Sequence, residues 1–356
     1  MSKSKPKVIS LFSGAGGLDV GLKQAGLSIV LALDFDHDSC ETLRLNFKDS
    51  VIIEDDVQKI SSEDILKKTG LKTGELDFLV GGPPCQPFSK SAFWNGSKGL
   101  KDPRAITLHE YIRVLNDLKP KAFLLENVFG LAYKNHKEAF DYLKGEFKKL
   151  GYDITYTIVN AADYGVPQIR QRLIILGSRI GSIKSPEKTH IPFEKKVNAS
   201  LFDMDTNLPR HVTAKDAFMG LDYSWKNEFP PELLINGKWG HLLPAIPPGE
   251  NYLFYTKKKG HPEPLFEWRS RYWTFLLKLS PDKPSWTIQA QPGPYVGPFH
   301  WENRRLTIDE LKRIQTFPDD YKFYGKRSSI QKQIGNAVPS LLAKKIGESV
   351  KKQLFS

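Results

Sequence analysis

Hydrophobic positions in the first half of the chain come in short continuous runs rather than in alternation. Val8–Phe12, Ile29–Leu33, Val51–Glu54, Asp77–Val80, Ala122–Glu126, Ile154–Val159 and Leu173–Gly177 each have the length of a strand. Runs of this kind suit strands buried on both faces. Segments of helix length separate most of them, clearest over Asp36–Phe47, Ile106–Leu118 and His136–Leu150. Lys119-Pro120 and Leu150-Gly151 supply stop signals for the last two. This alternation predicts an α/β fold with a doubly wound, mainly parallel sheet.

The pattern stops near Gly181, and from there to about Pro298 the chain is rich in proline, glycine and aromatic residues. Six of the seven tryptophans fall between Trp225 and Trp301. A smaller, irregular second domain is expected over residues 184–300, after a first domain over 1–183. Residues 301–330 would join the two, and 331–356, with a helix over Ser340–Lys352, would return to the first domain.

Composition narrows the setting. No apolar run reaches the roughly 18 residues of a membrane span, and the basic start, Met1 to Lys7, lacks the apolar core of a signal peptide. Two cysteines, Cys40 and Cys85, exclude a disulfide framework and a cysteine-built zinc site, and suit a cytoplasmic setting. Lys and Arg total 52 against 40 Asp and Glu, a net charge of +12 that suits a polyanionic partner.

Candidate chemistry sits where strands end. Gly81-Gly-Pro-Pro-Cys-Gln-Pro-Phe-Ser89 follows the run Phe78-Leu79-Val80. Prolines fix φ and stiffen this turn, which places Cys85 at the carboxyl end of a strand, where open α/β sheets bind ligands. Cys85 is therefore a candidate nucleophile. A buried core cysteine is the plain alternative, but such a residue has no need of a Gly-Gly-Pro-Pro frame.

A glycine loop of Phe12, Ser13, Gly14, Ala15, Gly16, Gly17 and Leu18 follows the first strand and opens a helix. Glycine lets backbone approach a ligand closely, and helix N-terminal amides bind polar groups. The loop lacks the dinucleotide spacing G-x-G-x-x-G, so no nicotinamide cofactor is indicated. Asp34 ends the second strand and suits ribose hydroxyls, Phe35 suits stacking on adenine, and Asp56 after the third strand suits an amino group. Together they describe a nucleoside-cofactor site without a pyrophosphate cradle. Each acid alone would more simply cap a helix.

Glu126 ends the apolar strand Phe123-Leu-Leu-Glu, where burial is expected to raise its pKa and make it an acid. Structural pairing with an arginine is the alternative. Arg170 and Arg172 alternate along an extended stretch and so share a face.

In order along the chain, these motifs resemble those of the C5-cytosine DNA methyltransferases. The resemblance rests on Phe12–Gly17, Pro83-Pro84-Cys85-Gln86, Glu126-Asn127-Val128, Gln168 with Arg170 and Arg172, Arg305-Leu306-Thr307 with Gln315-Thr316-Phe317-Pro318, and Gly335-Asn336-Ala337-Val338-Pro339. It covers about residues 7–180 and 300–350, and residues 183–300 match no motif, as befits a variable target recognition domain. It implies the S-adenosylmethionine-dependent methyltransferase fold and that cofactor. Cys85 would add to C6 of a cytosine flipped out of the duplex, Glu126 would hydrogen-bond N3 and the amino group, and Arg172 with Arg170 would bind the base carbonyl. Phe12 and Gly14–Leu18 would contact the methionine portion, Asp34 the ribose, Phe35 the adenine face, and Asp56 with Val57 its edge. Ser13 and Pro83 would complete that pocket, and Asn336 and Val338 would close it. Gln86, Ser89, Ser91, Arg104 and Gln168 would contact DNA, with Ser89–Arg104 resembling a loop that closes over the flipped base.

The family often has glutamate at the position of Asp34 and glycine at that of Ala92. Double-stranded DNA is the implied partner, a cognate restriction endonuclease a further one, and a monomer the implied state. An RNA-methylating branch of the family carries a Cys-Phe-Thr signature in its second domain, and this chain has no cysteine after Cys85. A non-catalytic DNA-binding protein on the same scaffold would not need the intact Cys85, Glu126 and arginines.

Overall fold

The structure, a computed structural model, describes residues 4–84, 106–132, 137–192, 207–223, 225 and 228–356. Its first half contains strands β1 (Lys7–Leu11), β2 (Ser28–Asp34), β3 (Val51–Glu54), β4 (Phe78–Gly81), β5 (Ala122–Val128), β6 (Asp153–Asn160), a short β7 (Gln168–Ile169) and β8 (Gln171–Ser178). Helices α1 (Gly17–Gln24), α2 (His37–Asn46), α3 (Ser62–Thr69), α4 (Ile106–Leu118) and α5 (Lys137–Lys149) lie between them. Each of the seven expected strands is present within a few residues of its predicted bounds.

The main sheet runs β3-β2-β1-β4-β5-β8-β6. Neighbours from β3 to β5 are parallel, and β8 is antiparallel to both β5 and β6. The chain leaves β1 for β2 and β3 on one side, then returns to β4 on the other. β1 and β4 therefore flank the point where strand order reverses, and ligand crevices open there at strand carboxyl ends.

Both faces are covered. Val8, Phe78 and Leu124 point to a layer shared with Leu22, Leu43 and Ile346, while Ile9, Leu79 and Leu125 point to one shared with Ile65, Leu115 and Phe147. Successive strand residues feed opposite layers, which is why the strands carry continuous apolar runs rather than alternation.

The second half has little regular structure among its described residues: α6 (Ala214–Phe218), short 3-10 turns and β9 (Ser285–Trp286). Its apolar centre gathers Leu243, Tyr252, Phe266, Leu276 and Phe299. Helices α7 (Ile308–Ile314), α8 (Arg327–Asn336) and α9 (Ser340–Val350) follow. α9 packs on α1, where a Cβ on Gly21 would meet the Ser340 carbonyl at 2.2 Å. β7 and β9 pair in parallel and stitch the two halves together beside the arginines.

Candidate active site

Glu126 and Arg172 meet because of strand register. β5 pairs antiparallel with β8, Glu126 opposite Ile174 and Val128 opposite Arg172. Glu126 and Arg172 are thus diagonal neighbours on one face, within reach of long side chains. Arg172 Nε lies 2.8 Å from Glu126 Oε1, and Glu126 is only 9% exposed. The other carboxylate oxygen stands over Gly82, where an added Cβ would lie 3.0 Å from it and would push the carboxylate aside by a few tenths of an ångström.

The Pro83-Pro84 turn is tethered on both sides. Asn127 is buried, donates to the Pro83 carbonyl at 3.2 Å and accepts from the Val128 amide at 2.8 Å. Thr107 Oγ1, at the start of α4, donates to the Pro84 carbonyl at 3.0 Å. Cys85, Gln86, Ser89, Ser91 and Arg104 lie outside the described residues. The remaining cysteine can be judged: Cys40 is buried on α2, its thiol donates to the Asp34 carbonyl at 3.3 Å, and burial pushes its pKa up to about 12. A thiol so protected is a poor nucleophile.

Two of the predicted site residues lie in the interior. Gln168 is fully buried, its amide donating to Gln315 Oε1 at 2.9 Å and accepting from the Ile288 amide at 3.1 Å. It joins β7 to the C-terminal segment. Arg170 is likewise buried, donating to the Gly335 carbonyl at 2.8 Å, with Nε and Nη1 unpartnered. Burial, then Arg172, holds its pKa well below the arginine range. Arg172 is brought to Glu126, while Arg170 reaches the Gly335 carbonyl.

Several predicted cofactor residues stand at the carboxyl ends of β1, β2 and β3. Asp34 ends β2 with Oδ2 accepting from the Gly14 amide at 2.7 Å and Oδ1 accepting from the Asp36 amide at 2.9 Å. It therefore shapes the glycine loop as well as facing the crevice, and burial raises its pKa. Phe12 adopts φ 54°, a left-handed conformation costly for an aromatic residue and tolerated where function over-determines it. Phe35 is 67% exposed beside the crevice, a free aromatic face. Asp56 is half-buried and accepts from the Gln58 amide at 3.0 Å, so it caps the turn that follows β3. Val57 is buried beneath it.

At Gly17 a Cβ would lie 2.4 Å from the Val338 carbonyl, so the far end of the chain closes onto the loop as expected. Asn336, on the last turn of α8, is exposed. An exposed aromatic, acids at successive strand ends and a loop without side-chain bulk fit an adenosine-bearing cofactor. Removing the Asp34 carboxylate would cost about 1.5–3 kcal/mol per lost hydrogen bond. We therefore expect Asp34→Ala to weaken S-adenosylmethionine binding roughly tenfold or more, and an unchanged dissociation constant by calorimetry would refute the assignment.

Sequence reasoning missed Asn127 and Gly82 as the pieces that fix the turn, and Asp19 beneath the glycine loop. Asp19 was visible as the one acid in the apolar stretch Leu18 to Leu22.

The chain matches the C-5 cytosine-specific DNA methylase family over residues 6–352. It is 42% identical to the Type II methyltransferase M.SacI of Streptomyces achromogenes, over 98% of this chain and 93% of that one. It is 36% identical to M.NgoFVII of Neisseria gonorrhoeae, over 95% and 84%. Among solved structures, Entamoeba histolytica methyltransferase EhMeth aligns with a TM-score of 0.64 at 19% identity, covering 99% of this chain and 100% of that one, a likeness of fold.

Proposed function

We infer that this chain, which belongs to the C-5 cytosine-specific DNA methylase family, uses Cys85, Glu126 and Arg172 to methylate C5 of cytosine in duplex DNA. The observation that carries the assignment of roles is the Glu126–Arg172 pair standing over Gly82, at the mouth of the Pro-Pro turn that leads to Cys85.

Cys85, as thiolate, adds to C6 of a flipped-out cytosine, and the ring gains electron density at C5. Glu126 hydrogen-bonds N3 and the amino group, and Arg172 holds Glu126 in place and takes the base carbonyl. When bound, S-adenosylmethionine supplies the electrophilic methyl group that C5 accepts. The C5 proton then leaves to a base, the Cys85–C6 bond breaks, and aromaticity returns. Phe12 to Leu18, Asp34, Phe35, Asp56, Val57, Pro83, Asn336 and Val338 form the cofactor pocket.

Gln86, Ser89, Ser91 and Arg104 contact DNA, and residues 184–300 form the domain that chooses the site. Exposed aromatic and basic groups there support this reading. Lys258 lies 4.3 Å from the Trp268 ring centre, and Tyr272 is 85% exposed beside Arg271. Such pairs suit phosphate and base contacts. No helix among the described residues is long and apolar enough to cross a membrane. The Type II names of the relatives support a role in protecting host DNA alongside a cognate endonuclease.

Bisulfite sequencing of DNA from an expressing host should reveal methylcytosine at one short recurring sequence. Purified enzyme should methylate duplex DNA and not tRNA. Transfer to tRNA alone would favour the RNA reading.

A further inference from the structure

Asp19 has no part in the mechanism above, yet it is the most unusual acid in the molecule. It sits in the first turn of α1, directly after the glycine loop, and is 0% exposed. Neither carboxylate oxygen has a hydrogen-bond partner. Buried carboxylates are normally paired or bonded, because an isolated buried charge is costly.

Its surroundings offer limited relief, from its own backbone amide in the first turn of α1 and from Ser10. On β1, the Ser10 hydroxyl stands close enough to favour the anion, but it has no well-formed bond to Asp19 and already accepts from Ser13 Oγ at 3.0 Å. At the end of β2, Asp34 is a second buried acid and disfavours the Asp19 anion. From the segment after α7, the Tyr321 phenol sits within its field and donates to the Ala15 carbonyl at 2.6 Å. From α9, Ser340 is buried with its hydroxyl unpartnered. Among the described residues, no lysine, arginine or histidine acts on Asp19. Two acids thus flank the glycine loop from within, and among the described residues no cation balances Asp19.

We propose that Asp19 is a buried counter-charge that makes this crevice prefer the cationic methyl donor to its neutral product. The inference rests on assigning the crevice to S-adenosylmethionine, whose sulfonium is positive and whose demethylated product, S-adenosylhomocysteine, has a neutral sulfur. Asp19 touches neither, and acts through the field in a poorly screened interior. Burial, opposed by Ser10 and by the residue's own backbone amide, raises its pKa to about 7, so near neutrality a good part of the free protein carries the proton. A cation brought to the loop lowers that pKa, and the proton leaves to solvent. Once the sulfur is neutral, the pKa rises and a proton returns from solvent, which weakens the hold on the product relative to the donor.

The test is calorimetric and needs no turnover. Wild-type protein is titrated near pH 7 with S-adenosylmethionine and with S-adenosylhomocysteine, each in two buffers of different ionisation heat. Binding of the donor should release a measurable fraction of a proton, and binding of the product should release less or none. Asp19→Asn keeps the shape of the protonated acid. It should abolish the difference in release and reduce the donor-to-product affinity ratio by about tenfold per unit of pKa coupling. Asp19→Ser serves the same end if the asparagine variant does not fold, and the wild-type comparison needs no variant at all.

Equal proton release by the two ligands overturns the proposal, as does release that persists in the Asp19 variant, which would assign it to another group such as Asp34. If wild type binds neither ligand, the cofactor assignment itself fails and the inference falls with it.

Discussion

Cys85→Ser should reduce methyl transfer on the order of 10⁴-fold or more, the scale of losing a covalent nucleophile, while leaving S-adenosylmethionine binding unchanged. Serine keeps the size of the side chain but not its chemistry. A hydroxyl stays protonated near neutral pH, whereas a thiol is partly ionised and is also a better leaving group, and this reaction needs both addition and departure. The two cysteines make the assignment testable in one protein. Cys40 is buried, engaged with the Asp34 carbonyl, and has its pKa pushed up to about 12. DNA with 5-fluorocytosine at the target base should trap a covalent adduct, because fluorine cannot leave C5 as a cation. Mass spectrometry should find that adduct on the peptide containing Cys85. An adduct on Cys40, or Cys85→Ser enzyme that still methylates, would sink the mechanism.

The strands and the strand-end motifs were legible because a parallel sheet buried on both faces demands continuous apolar runs, and because crevices at strand ends concentrate glycine, proline and acids. What sequence could not show is direction and depth. Nothing in Leu173–Gly177 says that β8 runs antiparallel, yet that reversal is what makes Glu126 and Arg172 diagonal neighbours. Arg170 and Arg172 have the same spacing and chemistry in the sequence, and an extended stretch should show both to one face. Arg172 is at Glu126, while Arg170 is buried against the Gly335 carbonyl. The difference comes from α8, which lies far along the chain. The burial of Gln168 was hidden for the same reason: its partners, Gln315 and Ile288, are more than a hundred residues away. Burial by remote segments leaves no local trace.

A buried ion pair within six residues of chain closes over α7, and breaking it should cost the fold more than a surface change. Arg304 and Glu310 are both 0% exposed, and the guanidinium holds the carboxylate through two bonds of 2.8 and 2.7 Å. Glu310 also accepts from the Tyr223 hydroxyl at 2.7 Å and from the Thr307 amide at 2.7 Å, and so completes the capping box of α7. Tyr223, Trp225 and Phe229 surround the guanidinium at 5.3, 5.3 and 5.5 Å. Burial alone would raise the Glu310 pKa, but Arg304 and the other partners bring it below the usual carboxylate range. A depressed pKa contributes stability above the ordinary glutamate range that is lost as pH falls through the folded-state value. We expect Glu310→Ala to destabilise the protein by about 3–5 kcal/mol, because it strands a buried guanidinium. The same variant should lose most of the acid-induced fall in stability that this pair contributes. Replacing both partners, as Arg304→Met with Glu310→Leu, should recover a large part of that loss, since two apolar groups leave no charge unpaired. Urea denaturation of the single and double variants measures both effects. If Glu310→Ala falls within about 1 kcal/mol of wild type, the pair behaves like a solvated surface bridge, and the buried network is not what holds α7 to the aromatic cage.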